Sequence, residues 1–176
     1  ALDANSTGGN NNSFGAYSLS ASTVSDNNAF GTYALHNNTT GTFNAAFGHR
    51  AMIANTTGGS NTAFGAYALD ANTTAAYNAA FGKEAMSANT TGTNNTAVGY
   101  QALALNIDHS HNTAVGHQAL LNNDANYNTA CGKEAVKMNT SGSRLVGVGN
   151  RALYTNTTGD YNHAFGDHAL FYNTTG

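Results

Sequence analysis

The chain has 176 residues and a formal net charge of −3, and only 9% of its residues are charged. This charge is too weak for the basic surface of a nucleic-acid-binding protein, and no apolar stretch approaches the length that spans a membrane. The polar character comes instead from 27 Asn and 23 Thr residues, while 40% of the residues are hydrophobic. Because the hydrophobic residues recur in register, they predict packed structure rather than disorder.

A repeat close to Asn-Thr-Ala-Phe-Gly-x-x-Ala-Leu-x-x-Asn-Thr-Thr-Gly recurs ten times along the chain. We call its central glycine the pivot; seven steps between successive pivots are 17 residues long and two are 16. The pivots are Gly15, Gly31, Gly48, Gly65, Gly82, Gly99, Gly116, Gly132, Gly149 and Gly166. A short period is typical of a solenoid. We therefore predict one array of about ten units over residues 1–176, expected to be a segment of a longer fibre because both ends fall within a unit.

Each unit is predicted to begin with a strand of four or five residues that ends at the pivot. Phe, Val or Cys131 precedes the pivot, and a second apolar column follows four residues after it. This second column comprises Leu19, Leu35, Met52, Leu69, Met86, Leu103, Leu120, Val136, Leu153 and Leu170. Stacked about 4.8 Å apart, the two columns are predicted to form the core, and the alanines just ahead of the second column mark close backbone approach.

The segment Asn-Thr-Thr-Gly has the residues of a turn, because Asn and Gly tolerate positive φ and Thr hydroxyls bond nearby backbone. Asn recurs at this turn in successive units, and its amide is predicted to pair with the copies above and below. These residues are Asn38, Asn55, Asn72, Asn89, Asn106, Asn123, Asn139, Asn156 and Asn173.

The period predicts an all-β fold, a β-solenoid of 17-residue coils. The alternative is a coil with one strand and one short helical turn, since segments such as 83–86 and 101–104 have good helix propensity. We favour the all-β coil because a helix of about two turns is marginal by itself.

A coil of this size buries little apolar surface, which favours assembly around an axis. Aromatic residues recur five positions before some pivots, at Phe43, Tyr77, Tyr127 and Tyr161. We expect a homotrimer whose interface contains these aromatics and the alanine column, including Ala68 and Ala102. A filament and a monomeric solenoid stay open as alternatives.

The segments 61–65 and 95–99, Asn-Thr-Ala-Phe-Gly and Asn-Thr-Ala-Val-Gly, resemble the head repeats of bacterial trimeric autotransporter adhesins. They are more similar to Asn-Thr-Ala-Phe-Gly-Tyr-Gln-Ala-Leu arrays of bacteriophage tail fibres and bacterial surface fibres, which Tyr100-Gln101-Ala102-Leu103 matches literally. The likeness covers the whole chain. It implies an extracellular protein, on a virion tail fibre or a bacterial cell surface, that acts as a structural shaft and supports attachment.

No pair of acids and no Ser-His-Asp arrangement is predicted to converge on one unit, so we expect no enzyme. Aromatic and amide side chains on the variable positions favour weak binding of cell-surface glycan. Two other functions stay open, a self-assembling extracellular filament that carries glycans and an ice-binding solenoid. The ice-binding alternative is weaker because the Thr-Thr pair is lost at 107–108 and 124–125.

Two kinds of modification or ligand site are candidates. His109 and His111 lie on one face of an extended segment, and the resemblance implies an axial metal ion, as some trimeric phage fibres hold iron with His-x-His; solvated loop histidines are the alternative. We expect no other cofactor. Asn-x-Ser/Thr sequons are candidate glycosylation sites, although the same residues suit the turn. They begin at Asn38, Asn55, Asn72, Asn89, Asn139, Asn156 and Asn173.

Overall fold

The structure is a computed structural model that describes residues 1–3, 5 and 7–176. These residues form a β-solenoid with one parallel sheet, in which each of ten strands pairs with the next in chain order. The strands are β1 (Asn12–Phe14), β2 (Asn28–Phe30), β3 (Ala45–Phe47), β4 (Thr62–Phe64), β5 (Ala79–Phe81), β6 (Thr96–Val98), β7 (Thr113–Val115), β8 (Thr129–Cys131), β9 (Val146–Val148) and β10 (His163–Phe165). The predicted all-β solenoid is confirmed, and the described residues contain no helical turn of the alternative kind.

Each strand has three residues, fewer than the four or five predicted, and the remainder of each coil is turns. The register places every strand residue beside the same repeat position of the next coil, as in the pairing of Ala63 with Ala80. Backbone hydrogen bonds join the coils along the solenoid, for example from Gly65 N to Phe47 O at 2.8 Å. Side chains at one repeat position therefore stack in a column.

The interior consists of small and medium side chains. Leu69, Ala63 in the middle of β4 and Ala68 are all fully buried, and their equivalents repeat this arrangement along the array. The predicted leucine column is confirmed as core from Leu19 to Leu153, whereas Leu170 in the last coil is half-exposed. Because Ala68 and Ala102 lie inside the coil, the expectation that they line an interface between chains is wrong.

The prediction that the residues before the pivots belong to the core is also wrong. Phe64 and Phe81 are 49% and 41% exposed, and their equivalents lie on the same outer surface. Side chains alternate between the two faces of a strand. Since the middle residue of each strand is the alanine that points inward, the large residue after it points outward.

Asparagine fills much of the interior in two columns. The first, which we call the turn ladder, is the predicted one: Asn72 Nδ2 donates to Asn55 Oδ1 at 2.8 Å, and the pattern repeats from Asn38 to Asn173. The second, the strand ladder, lies just before the strands and was not predicted. Its fully or almost fully buried members are Asn27, Asn44, Asn61, Asn78, Asn95, Asn112 and Asn128.

The strand ladder joins backbone to side chain. Asn61 Oδ1 accepts a hydrogen bond from the backbone nitrogen of Asn78 at 2.9 Å, and Asn61 Nδ2 donates to the Ala75 carbonyl at 2.8 Å. Asn72 of the turn ladder donates to the same carbonyl at 3.2 Å. Buried amide and carbonyl groups are therefore satisfied along the axis, as low-dielectric interiors require.

The pivots hold the closest contact between coils. Gly99 has a φ of 136°, a conformation that side-chain-bearing residues rarely adopt. A Cβ added there would lie 2.5 Å from the carbonyl oxygen of Gly116 in the next coil. The repeat thus requires glycine at the pivot for both conformation and space.

We expect Gly99→Ala to lower the free energy of unfolding by about 3 kcal/mol, through the strained φ and the backbone clash. Gly9→Ala is the matched control, because a Cβ there meets no atom within 4 Å. Denaturant unfolding followed by circular dichroism measures both variants. Equal stability of the two variants would contradict this account of the pivot.

We expect Asn72→Ala to destabilise the chain by roughly 3 kcal/mol, because buried Asn55 Oδ1 loses its hydrogen-bond donor and Asn89 Nδ2 loses one of its two acceptors. Asn37→Ala removes an exposed asparagine and should change stability by less than about 0.5 kcal/mol. Thermal and denaturant unfolding of both proteins test the ladder. If the two substitutions had the same effect, the amide ladder would not be a principal source of stability.

Candidate functional site

The outer face of the sheet is the surface best suited to contact another molecule. It consists of the first and third residues of each strand, none of which is Asp, Glu, Lys or Arg. Successive phenylalanine rings stack on this face, with centroids 4.8 Å apart for Phe30 and Phe47 and 4.5 Å apart for Phe47 and Phe64. Thr62 and Ala79 lie beside them. The result is an uncharged, largely apolar surface with the period of the coil; we call it the sheet face.

The aromatics five positions before the pivots lie beside the sheet face. Phe43, Tyr77, Tyr127 and Tyr161 are 65%, 66%, 54% and 64% exposed. The Arg144 guanidinium lies 5.2 Å from the centre of the Tyr161 ring and 5.7 Å from that of Tyr127. These rings therefore remain available for contacts beyond the single chain.

A polar ladder runs along the far side of the pivots, two residues after them. Gln118 Nε2 donates to Gln101 Oε1 at 2.7 Å, and Gln101 Nε2 donates to Glu84 Oε2 at 2.7 Å. Farther along, Arg151 Nε donates to Glu134 Oε2 at 2.6 Å and Lys137 Nζ donates to Glu134 Oε1 at 3.0 Å. These charge-assisted bonds, first that from Arg151, lower the pKa of Glu134 to about 2.

Because the folded chain lowers the pKa of Glu134, its contribution to stability is present above the ordinary value of 4.5 and is lost as pH falls towards 2. We expect Glu134→Gln to lower the free energy of unfolding by about 1 kcal/mol at pH 6. Between pH 4.5 and 2 the variant should lose less stability than the wild-type chain. Urea unfolding at a series of pH values measures both effects. Lys133→Gln, which removes an exposed neighbouring charge, is the control, and an unchanged acidic profile in Glu134→Gln would contradict the assignment.

One carboxyl has the opposite shift. Asp70 lies in a shallow depression lined by Tyr67, Glu84 and Ser87, and burial raises its pKa. The nearby Arg50 charge opposes this effect. The depression supplies no nucleophile paired with a base, and the absence of catalysis stays a prediction.

The two histidines predicted as metal ligands have different surroundings. His111 is exposed, and its ring stacks on Tyr127 with centroids 5.0 Å apart. His109 is instead close to the carboxylates of Asp108 and Asp124. An ion on the axis of a trimer would take ligands from all three chains. A single chain does not test such a site, so the axial site stays a prediction.

The candidate glycosylation sites lie in the turn ladder. Asn38, Asn55, Asn72, Asn89, Asn139 and Asn156 are fully buried, and Asn173 is partly buried. At Asn55, for example, Nδ2 donates to Asn38 Oδ1 at 2.8 Å and to the Gly58 carbonyl at 2.9 Å. A glycan on this nitrogen would displace both bonds, so the six buried residues suit the ladder and not modification of the folded chain.

Sequence reasoning missed the sheet face, the strand ladder and the two aspartates beside His109. The recurrent Asn four residues before most pivots was a usable signal for the strand ladder. The loss of Thr-Thr at 107–108 and 124–125, visible in the sequence, was the signal for the two aspartates, but it did not show that they meet His109.

No protein-family model, curated protein or solved structure matches the chain. None of the described residues forms a helix long and apolar enough to cross a membrane.

Proposed function

We propose that this chain is a non-catalytic shaft segment of an extracellular fibre, a phage tail fibre or a bacterial surface adhesin, that supports attachment. The regular stacking of coils supports this role, because every coil repeats the same strand register and the same axial hydrogen bonds. At about 4.8 Å per coil, ten coils give a rod about 50 Å long. The resemblance of the repeat to fibre arrays supports an extracellular location.

The observation that carries the proposal is the outward position of the phenylalanine column. The chain buries Asn and Ala while it exposes 39% of Phe30 and 49% of Phe64 on an uncharged sheet face. Exposed apolar patches of this kind are typical of interaction surfaces. The occupant is a second copy of the chain, because a partner with the same axial repeat matches the columns along their whole length.

Three copies around one axis form the proposed assembly. Each chain would supply its sheet face and the aromatics near it, so every copy gains the apolar burial that a thin coil lacks. Any glycan affinity would come from the aromatic and amide side chains left outside and would be weak.

The threonine columns favour a structural role over ice binding. Thr56 Oγ1 donates to the Thr73 carbonyl at 3.1 Å, and equivalent bonds occur at Thr39, Thr73 and Thr90. These hydroxyls therefore join neighbouring coils. The column is interrupted where Ile107 and Asp124 replace threonine and resumes at Thr140.

The oligomeric state tests the proposal. We expect native mass spectrometry and sedimentation to give a trimer, and small-angle scattering to give an elongated particle. The combined variant Phe47→Thr, Phe64→Thr, Phe81→Thr removes three outward rings and puts in their place a β-branched residue that suits a strand. If each ring contributes about 1 kcal/mol, association should weaken by about a hundredfold or more.

The matched control is Thr40→Ser, Thr57→Ser, Thr74→Ser, which alters three exposed residues on the turn side. It should leave association unchanged. A stable monomeric wild-type chain would contradict the trimer, and scattering from a compact sphere would contradict the shaft. Unchanged association of the phenylalanine variant would exclude the sheet face as the interface.

A further inference from the structure

Two successive units break the turn pattern at the same place. Most units have Thr-Thr or Thr-Ser followed by a small residue, but one has Ile107-Asp108-His109 and the next has Asp124-Ala125. The unit that contains Asp124 is also one of the two that are 16 residues long. Aspartates thus replace hydroxyl-bearing residues, and an imidazole replaces a small residue, in two coils that lie against each other.

These substitutions converge on one point. His109 Nδ1 lies 2.9 Å from Asp108 Oδ1 and 3.2 Å from Asp124 Oδ1. The three atoms all lie within 4.8 Å of one another. The His109 side chain is 25% exposed, and the carboxylates are 61% and 70% exposed, so the group is open to solvent on one side.

The imidazole nitrogen at the centre of this group has no hydrogen-bond partner. His109 Nδ1 is buried, yet neither carboxylate oxygen lies in a direction to which an N–H could donate. A buried polar atom without a partner is costly. A cation on the lone pair of Nδ1 would satisfy the nitrogen and both oxygens together.

The distances suit such an ion. Ligand atoms about 2.1 Å from a metal lie about 3.0 Å apart when they are at right angles, and about 3.4 Å apart in the tetrahedral arrangement that Zn²⁺ favours. The separations of 2.9 and 3.2 Å are nearest to the first value and within about half an ångström of the second. In either geometry each oxygen lies to the side of the nitrogen lone pair, which explains why neither makes a hydrogen bond to Nδ1.

The backbone beneath the group is held by two hydrogen bonds. The His109 carbonyl accepts hydrogen bonds from Asn95 Nδ2 and from Asn106 Nδ2, each at 2.8 Å. Both asparagine ladders therefore position the residue. Elsewhere this place in the coil is occupied by glycine, alanine or, in one coil, Val24, so the ladder geometry does not require a histidine.

We propose that Asp108, His109 and Asp124 bind one divalent transition-metal ion per chain, with water in the remaining positions. Two carboxylates and a neutral imidazole supply a net charge of −2, which balances the ion. Imidazole favours Zn²⁺ and related ions over Ca²⁺ and Mg²⁺, which prefer oxygen ligands alone. The site lies within a single chain and is independent of the proposed trimer.

Calorimetric titration of the chelator-treated full chain with Zn²⁺ tests the site, with Ca²⁺ and Mg²⁺ for comparison. We expect one Zn²⁺ per chain and at least tenfold weaker binding of the other two ions. The variants Asp108→Thr, His109→Gly and Asp124→Thr each restore a residue found at the same place in other units, so the fold should be kept. Each should weaken Zn²⁺ binding by at least about tenfold.

His111→Asn is the matched control, because Asn94 occupies the equivalent place one coil earlier with a similar φ of 58°. It should leave Zn²⁺ binding unchanged, and circular dichroism should show that all four variants are folded. Absence of Zn²⁺ binding, or binding that the three ligand variants leave intact, would overturn the proposal. Loss of binding in His111→Asn would overturn it in favour of the histidine pair.

Discussion

The hydrogen bond between asparagine side chains in successive coils is the interaction on which the rest of this structure depends. An amide has both a donor and an acceptor, so identical copies can pair in an unbroken row. Asn55 and Asn72 show the arrangement, since each uses its Nδ2 for the preceding coil and for a carbonyl of its own turn. An aliphatic residue there would leave the turn carbonyl without this donor.

A thin coil explains why apolar rings lie outside. With two alanine columns, one leucine column and two asparagine ladders, the interior has no room for a phenylalanine in every coil. The strand nevertheless keeps Phe or Val before the pivot in every unit except that of Cys131. Such an exposed residue adds little to the stability of a single chain. It stabilises the protein only when another surface buries it, which links the composition of the core to the proposed assembly.

Much of the fold could be predicted from the sequence because the period constrains it strongly. The leucine column, the turn ladder and the all-β coil follow from residues that recur at one spacing. The exposed position of Phe64 could not be predicted in this way. Its large apolar ring suggested a place in the core, but Ala63 is the residue of the three-residue strand that points inward. Burial depends on which strand residue faces the interior, and a short strand leaves that choice open.

The candidate metal ligands show a second limit. His109 could be singled out from the sequence, but its spacing suggested His111 as the partner. Asp124 is 15 residues away, and its approach depends on how one coil stacks on the next. Contacts between coils depend on register, so a departure of one residue from the period decides which side chains meet.

The direction of the hydrogen bonds between coils has a mechanical consequence. A force that pulls the two ends of the rod apart is shared among all the hydrogen bonds of one coil–coil junction. Successive junctions are loaded in series, so each junction carries the whole force. Added coils therefore lengthen the rod without weakening it, and its tensile strength is that of its poorest junction. Leu145 replaces asparagine in the strand ladder and offers no oxygen to the backbone nitrogen of Asn162, so this junction lacks the side-chain-to-backbone hydrogen bond that the strand ladder makes at the other junctions.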